Sequence, residues 1–220
     1  MAVIVFGASG GTGVAVIRAL LDAGETVTAF VRDPTRFSLA TNPPSGLSVI
    51  IGDVLRAADV AAAIEGHDRV AVSLGNSQNP FALMVGAQRT TARNVCEVGT
   101  QHIIAGMQAH GCRRIVCVTA FGVGATRTKM PMMFKLFYAV VLREHMADKE
   151  RQEQALRQSG LDWTIVQPVG LVDQPITGHY RADRDGQIGK QTISRGDLAQ
   201  FIVRSLDCPA DIGQSLALSG

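Results

Sequence analysis

Three glycines near the start of the chain have the spacing of a phosphate-binding turn. Gly7, Gly10 and Gly13 directly follow the apolar run at residues 2–6 and precede a segment with helical spacing. The first suits a tight turn, the second lets the backbone approach a pyrophosphate, and the third allows close helix–strand packing. The free N–H groups at the start of a helix also attract phosphate. This context predicts a dinucleotide site; the alternative is a turn that only joins strand to helix.

Two arginines follow the second apolar run, where proteins select between the two nicotinamide dinucleotides. NAD-dependent proteins carry an acid there that binds the ribose 2′-hydroxyl, but this chain has Arg32, with Arg36 close by. Because a guanidinium binds a dianionic phosphate bidentately, these residues predict that NADP(H) is preferred over NAD(H). Solvated surface arginines are one alternative, and an inward turn of Asp33 that accepts NAD(H) is another.

Polar and small residues also follow the third and fourth apolar runs. Asp53 and Val54 stand at the usual place of an adenine contact, although Asp53 could instead cap the next turn. Ser73 and Gly75 are small, which suits a backbone that passes close beside the cofactor at residues 73–75. The glycine turn and these strand ends therefore predict cofactor contacts from Gly7, Ser9, Gly10, Gly11, Thr12, Gly13, Arg32, Arg36, Asp53, Val54, Ser73, Leu74 and Gly75.

The elements that must position these residues alternate along the whole chain. Strands are predicted at 2–6, 25–31, 47–51, 70–74, 114–119, 163–166 and 216–218, and helices at 14–23, 59–64, 90–110, 144–159 and 195–206. Such alternation is typical of a doubly wound parallel sheet with right-handed crossovers, the Rossmann fold. The sequence thus predicts a single α/β domain over residues 1–220.

Two long irregular segments, 120–143 and 170–194, leave the carboxyl ends of predicted strands. Ligands bind at this edge of open α/β sheets, so both segments are predicted to build the substrate site. The apolar stretch at 131–142 contains Met and Phe and suits a lid over a flat aromatic ligand. A core helix or an oligomer face would use the same residues.

Composition and charge argue against several classes of protein. With 220 residues, 46% of them hydrophobic and 18% charged, the chain can bury a core. Its net charge is only +2 and its 21 Lys and Arg are scattered, which argues against a nucleic-acid partner. No apolar run reaches the roughly 20 residues of a membrane span, and no secretory signal is recognisable. The cysteines lack metal-site spacing. We expect a cytoplasmic monomer or small homo-oligomer without a membrane partner.

Eight short motifs spread along the chain carry a resemblance to a known family. They lie at residues 7–13, 31–33, 52–55, 109–111, 117–121, 156–161, 173–178 and 193–198. Together they resemble the atypical short-chain dehydrogenase/reductases, and within them the biliverdin reductase B, or flavin reductase, group. The glycine turn is shared by the whole superfamily, whereas the motif at 173–178 is far more specific. The resemblance implies a small single-domain enzyme that reduces flavins or linear tetrapyrroles with NADPH.

Thr119 and Gly170 mark two departures from that group. Thr119 matches its active-site serine, so a hydroxyl is kept, and the resemblance implies a catalytic and cofactor-contacting role there. The active-site histidine of the group would fall near Gly170, where Pro168, Val169 and Gly170 are the implied cofactor contacts, and it is absent. Flavin reduction depends mainly on stacking the cofactor against the acceptor, so the missing histidine should affect it less than it affects tetrapyrrole reduction. His179 is another candidate for contacting substrate.

The chain lacks the usual acid of short-chain reductases, the tyrosine of a Tyr-x-x-x-Lys pair. Neither Tyr138 nor Tyr180 has a lysine four residues on. His145, Lys149 and Glu153 share a helix face instead. Lys149 is predicted to contact the cofactor ribose in a catalytic role, and His145 is a candidate proton donor. The alternative is a solvated charged face in which Lys149 pairs with Glu153.

Two functions of different classes stay open on the sequence. The leading one is an NADPH-dependent reductase that transfers a hydride to a flavin, quinone, tetrapyrrole or similar conjugated acceptor. The other is a redox-sensing regulator that binds NAD(P) without turnover, which the missing tyrosine permits and Thr119 opposes. An NAD(P)-binding assembly factor is a third possibility.

Overall fold

The computed structural model describes residues 2–75, 86, 88, 90–130 and 142–220. The strands of their main sheet are β1 (Ala2–Phe6), β2 (Thr26–Val31), β3 (Leu47–Ile51), β4 (Arg69–Val72), β5 (Arg114–Val118), β6 (Asp162–Pro168), β8 (Arg181–Asp183) and β10 (Gln214–Ser219). They lie in the order β3-β2-β1-β4-β5-β6-β10-β8, and all are parallel except β8. Strands β7 (Gly170–Val172) and β9 (Thr192–Ser194) form a separate parallel pair. This strand order confirms the predicted Rossmann fold.

Helices cover both faces of the main sheet. They are α1 (Gly11–Asp22), α2 (Ala57–Ile64), α3 (Val95–Ala109), α4 (Arg143–Gln158) and α5 (Arg195–Leu206). Helices α1 and α5 pack together on one face, and α2, α3 and α4 pack side by side. Alternate residues of β1 enter the two apolar cores: Val3 and Val5 join the first, Ile4 and Phe6 the second. The central strands are therefore buried on both faces, which explains their continuous apolar runs.

Helix α3 begins five residues later than the sequence predicts. Asn94, which precedes it, makes no side-chain cap, and the cap comes from Asp148 on α4. The Asp148 carboxylate accepts hydrogen bonds from the N–H groups of Cys96 at 3.0 Å and Glu97 at 2.9 Å. A carboxylate at this end of a helix also interacts favourably with the helix dipole. The start of α3 is therefore set by a residue distant in sequence.

The irregular segments differ in how far the structure describes them. Segment 170–194 contains β7, β8 and β9, so it is more regular than predicted. In segment 120–143, the lid predicted at 131–142 falls almost wholly on residues 131–141, which lie outside the described residues. No helix in the described parts is long and apolar enough to cross a membrane.

Three cysteines are buried, including Cys112 and Cys117, which flank the apolar run of β5. Cys96, Cys112 and Cys117 are all nearly inaccessible, and every cysteine is a free thiol. Burial raises the pKa of Cys96 and of Cys112 to about 11. Because these thiols stay protonated at neutral pH, they are packing groups and not nucleophiles.

Candidate functional site

A cleft of about 360 Å³ opens at the carboxyl ends of β1, β2, β3 and β4. Several separate strand ends reach it because neighbouring parallel strands end at the same edge of the sheet. The predicted residues that line it are Gly7, Ser9, Gly10, Gly11, Arg32, Arg36, Asp53, Val54, Ser73, Leu74 and Gly75. Phe30, Val31, Asp33, Gly52, Thr91 and Val95 complete the lining.

The three key glycines of the turn differ in how much space a side chain would have. Gly7 has a φ of +80°, and a Cβ there would lie 2.5 Å from the Ser73 carbonyl oxygen. A Cβ on Gly13 would lie 2.2 Å from the Gly7 carbonyl oxygen, so strand and helix pack too closely for any side chain. A Cβ on Gly10 would meet only the Gly7 carbonyl oxygen, at 3.4 Å. Gly10 therefore keeps space clear at the cleft, and Gly7 and Gly13 shape the backbone.

The start of α1 is suited to an anion. Its first turn carries no acidic residue, and Gly10, which precedes it, provides no side-chain cap. The first N–H groups of a helix have no partner within the helix and carry a partial positive charge. Together with the open space at Gly10, this backbone fits the diphosphate of a dinucleotide.

Arg32 and Arg36 line the cleft beyond the end of β2. The Arg32 guanidinium donates to the Thr90 carbonyl oxygen at 3.4 Å. The Asp33 carboxylate accepts from the Thr35 hydroxyl at 2.6 Å and the Thr35 N–H at 3.0 Å. These bonds lower the pKa of Asp33 and hold its carboxylate at the start of the 3-10 helix Pro34–Arg36. Asp33 is thus engaged in its own turn.

Asp53 also takes part in a turn at the cleft. One of its carboxylate oxygens accepts from the Leu55 N–H at 3.0 Å, and its own N–H donates to Asp59 at 2.9 Å. The turn-capping alternative for Asp53 is therefore present in the structure. Next to it, a Cβ on Gly52 would lie 2.7 Å from the Phe30 ring, so this glycine allows the ring to pack beside the cleft.

Lys149 lies between two strand ends. Its ammonium donates to the carbonyl oxygens of Leu74 at 3.1 Å and Val118 at 3.4 Å. It shares Leu74 with the cleft lining but does not itself line the cleft. The suggested pairing of Lys149 with Glu153 on a solvated face is wrong, because Glu153 is fully buried and pairs with Arg157 at 2.8 Å.

Glu153 forms a buried polar network that the sequence analysis missed. Its carboxylate accepts from the Thr119 hydroxyl at 2.7 Å and the Gln167 amide at 2.8 Å, besides its ion pair with Arg157. The network joins α4 to the ends of β5 and β6. Thr119 is itself buried, so its hydroxyl proton points toward Glu153. Charge-assisted bonds of this kind satisfy a carboxylate that burial would otherwise destabilise.

A model of the NAD(P)H-binding family matches residues 7–209. The chain belongs to this NAD(P)H-binding family. The match covers the glycine turn, the cleft and the Glu153 network.

Two proteins of related sequence and one solved structure are similar to this chain. An uncharacterised chloroplastic protein of Arabidopsis thaliana is 26% identical over 204 residues, which are 93% of this chain and 71% of that protein. The photosystem II assembly factor Ycf39 of Synechocystis is 25% identical over 216 residues, 94% of this chain but only 59% of Ycf39. The structure of ChuY, an anaerobilin reductase of Escherichia coli O157:H7, is 25% identical with a TM-score of 0.78, covering 100% of this chain and 97% of ChuY. These matches are consistent with an oxidoreductase of the atypical short-chain type.

Several predicted contacts of this NAD(P)H-binding protein lie outside the cleft lining. Thr12 and Gly13 are in the first turn of α1, and Thr119 is in the Glu153 network. The Val169 N–H donates to Leu218, and the Gly170 N–H donates to Gln191. With Pro168, which is buried at the end of β6, they stay predictions as cofactor contacts.

Segment 170–194 lines a second cavity of about 520 Å³ in this NAD(P)H-binding protein. His179 lies there, together with Arg181 and Lys190. None of its lining residues belongs to the cleft at the glycine turn. The structure therefore places His179 in a cavity separate from that cleft.

Removal of the Glu153 carboxylate should destabilise the fold measurably. We expect Glu153→Ala to lower the free energy of unfolding by about 1–3 kcal/mol, because buried donors of Thr119 and Gln167 lose their shared acceptor. Urea unfolding measures this difference. The matched control is Glu150→Ala on the same helix, where the ion pair with Arg127 is exposed and contributes roughly 0–1 kcal/mol. Equal stability of the two variants would show that the network does not support the fold.

Proposed function

We propose that this protein is an NADPH-dependent reductase that transfers a hydride to a flavin, quinone, tetrapyrrole or similar conjugated acceptor. The observation that carries the proposal is the arrangement at the ends of β4 and β5. There the Lys149 ammonium bridges two strand ends, while the Thr119 hydroxyl donates to buried Glu153. A cation is therefore fixed next to the cleft, and the Thr119 hydroxyl proton is held by Glu153, so it is not free to protonate a substrate.

The choice of NADPH over NADH rests on the end of β2. Arg32 and Arg36 line the cleft, and the Asp33 carboxylate is occupied by Thr35. Two guanidinium groups favour a dianionic 2′-phosphate through charge-assisted, bidentate hydrogen bonds. An Asp33 engaged in its own turn is a weaker candidate for binding a 2′-hydroxyl.

The acceptor class follows from the source of the proton. NADPH, when bound, supplies a hydride, and overall NADPH, acceptor and one proton give NADP⁺ and the reduced acceptor. A reduced ketone is an alkoxide that needs a positioned acid, and the chain has no Tyr-x-x-x-Lys pair. A flavin or quinone spreads the added charge over its rings and can take its proton from water. The residues at the strand ends then need only bind and orient the two partners.

An acceptor panel tests this proposal. We expect NADPH oxidation to accelerate with FMN, riboflavin, quinones or biliverdin, and to stay at background with small aliphatic ketones. Absorbance of NADPH measures both rates. Efficient turnover of aliphatic ketones would contradict the proposed acceptor class.

Two variants extend the same test to the proton donor. Thr119→Ala should slow flavin reduction by about tenfold or less, which is about 1.4 kcal/mol of barrier. His145→Ala should leave the rate nearly unchanged, because water supplies the proton. A thousandfold loss in His145→Ala would instead identify a resident acid.

A redox-sensing regulator that binds NAD(P) without turnover is the second candidate. The missing Tyr-x-x-x-Lys pair permits this class, since binding alone needs no proton donor. A role in assembly is a variant of this candidate, suggested by the likeness to Ycf39. Tight dinucleotide binding without oxidation by any acceptor would support this class.

The setting of the protein also belongs to the proposal. We propose a monomer or small homo-oligomer that acts on small molecules, without a nucleic-acid or membrane partner. A relative in Arabidopsis is chloroplastic, so the cytoplasmic location expected from the sequence stays a prediction.

A further inference from the structure

Two of the sequence motifs contact each other in the structure. The carboxylate of Asp197, near the start of α5, accepts from the N–H groups of Thr177 at 3.0 Å and Gly178 at 2.8 Å, and from the Ser194 hydroxyl at 2.7 Å. Burial opposes the ionised form, but these hydrogen bonds outweigh it and lower the pKa of Asp197. The motif at 173–178 is therefore clamped to the first turn of α5.

A glycine brings the same two motifs into closer contact. A Cβ on Gly196 would lie 2.3 Å from the Ile176 side chain, so Ile176 packs directly on the backbone of α5. One residue earlier in α5, the Arg195 guanidinium pairs with the Asp173 carboxylate at 2.6 Å. The clamped motif thus places Asp173 and Arg195 side by side.

The Arg195 side chain also lies against the glycine turn. A Cβ on Gly11 would be 3.1 Å from Arg195 Nε and 3.3 Å from its Cδ. Gly11 is the first residue of α1 and part of the cleft lining. Arg195 thereby brings a permanent positive charge to the helix end that fits a diphosphate.

The partner of Arg195 is weakly held. The Asp173 side chain is 85% exposed, and that of Arg195 is 27% exposed. An ion pair with so exposed a carboxylate is screened by water and contributes little to stability. A diphosphate carries more negative charge than one carboxylate and accepts a guanidinium bidentately. It should therefore displace Asp173 from Arg195.

We propose that Arg195 binds the diphosphate of the dinucleotide, and that Asp173 holds the Arg195 side chain when no cofactor is bound. The inference rests on the proposed use of NADP(H) at the glycine turn. Arg195 would bind the diphosphate, which NADP(H) and NAD(H) share, whereas Arg32 and Arg36 would bind the 2′-phosphate, which only NADP(H) carries. Arg195 thus raises the affinity for the dinucleotide, and Asp173 lowers this affinity because it competes for the guanidinium.

Dinucleotide binding by variants of this pair tests the inference. Titration calorimetry with NADP⁺ and NAD⁺ should show Arg195→Ala weakening both by the same factor, about tenfold to a hundredfold. Arg195→Lys should restore part of the loss, because it keeps the charge but not the bidentate geometry. Asp173→Asn should tighten both by about two- to fivefold, since it removes a competing carboxylate.

Controls come from the exposed ion pair of Arg113 with Asp162. This pair lies at the amino ends of β5 and β6, whereas the cleft lies at the carboxyl ends of the strands. Arg113→Ala and Asp162→Asn make the same charge changes and should leave both affinities within about twofold. Thermal unfolding of every variant shows whether the fold is kept. Asp173→Asn changes only an exposed side chain, so it tests the inference even if Arg195→Ala is unstable.

The outcomes separate this inference from the proposed function. An Arg195→Ala protein that binds both dinucleotides normally would overturn the inference alone. Loss of NADP⁺ affinity only would place Arg195 at the 2′-phosphate and also overturn it. Asp173→Asn with unchanged or weaker affinity would refute the competing role of Asp173. Failure of the unmutated protein to bind either dinucleotide would overturn both proposals.

Discussion

Replacement of Gly10 by valine is expected to abolish dinucleotide binding while the protein stays folded. The backbone at Gly10 has φ −77° and ψ 157°, which a β-branched residue adopts readily. A Cβ there contacts only the Gly7 carbonyl oxygen at 3.4 Å, so the branched side chain would extend into the space assigned to the diphosphate. Loss of two or more charge-assisted hydrogen bonds corresponds to a decrease in affinity of about a hundredfold or more. Calorimetry with NADP⁺ measures it.

Gly13 provides the contrast for this experiment. A Cβ on Gly13 would lie 2.2 Å from the Gly7 carbonyl oxygen, so Gly13→Ala should lower the unfolding temperature as well as the affinity. Gly10→Val should lower the affinity alone. Unchanged NADP⁺ affinity in folded Gly10→Val would mean that the turn only joins β1 to α1.

Arg32→Ala is expected to weaken NADPH binding about tenfold to a hundredfold and to leave NADH binding nearly unchanged. Only NADPH carries the 2′-phosphate, and a hydrogen bond between charged groups contributes about 1.5–3 kcal/mol. Arg36→Ala should act in the same direction. Dissociation constants for both dinucleotides give the ratio directly.

Arg18→Ala is a suitable control for that ratio. Arg18 is exposed on α1 and does not line the cleft, yet its removal changes the net charge equally. We expect its effect on both affinities to be within about twofold, because salt screens exposed charges. Equal affinity of the unmutated protein for NADPH and NADH would refute the assignment of Arg32 and Arg36.

Much of the fold could be predicted because its signals are local. Buried parallel strands such as β1 and β5 give continuous apolar runs, and Gly24, Gly111 and Gly160 follow helix ends. The start of α3 was placed too early because its cap, Asp148, comes from α4. Strands β7, β8 and β9 were missed because each has three residues and depends on a partner distant in the chain.

The same reasoning explains the outcome at the site. Residues at the cleft were predictable because the topology gathers the ends of parallel strands, whatever the details of packing. The burial of Glu153 was not predictable. The buried face of α4 includes the polar residues Asp148, Gln152 and Glu153, and in the sequence such residues resemble a solvated helix face. Arg195 was missed because its approach to Gly11 is a contact between the two ends of the chain. In the sequence, the place of Arg195 within the motif at 193–198 was a signal for it.

Anaerobic reaction of the unmutated protein with NADPH and FMN tests the reductase proposal most directly. We expect one FMN to be reduced for each NADPH oxidised, at a rate well above that of the reagents alone, and Gly10→Val to react at the background rate. The measurement follows the absorbance of both compounds together. Tight NADPH binding with oxidation at the background rate, for FMN and every other conjugated acceptor, would contradict the proposal and identify a regulator that binds NAD(P) without turnover.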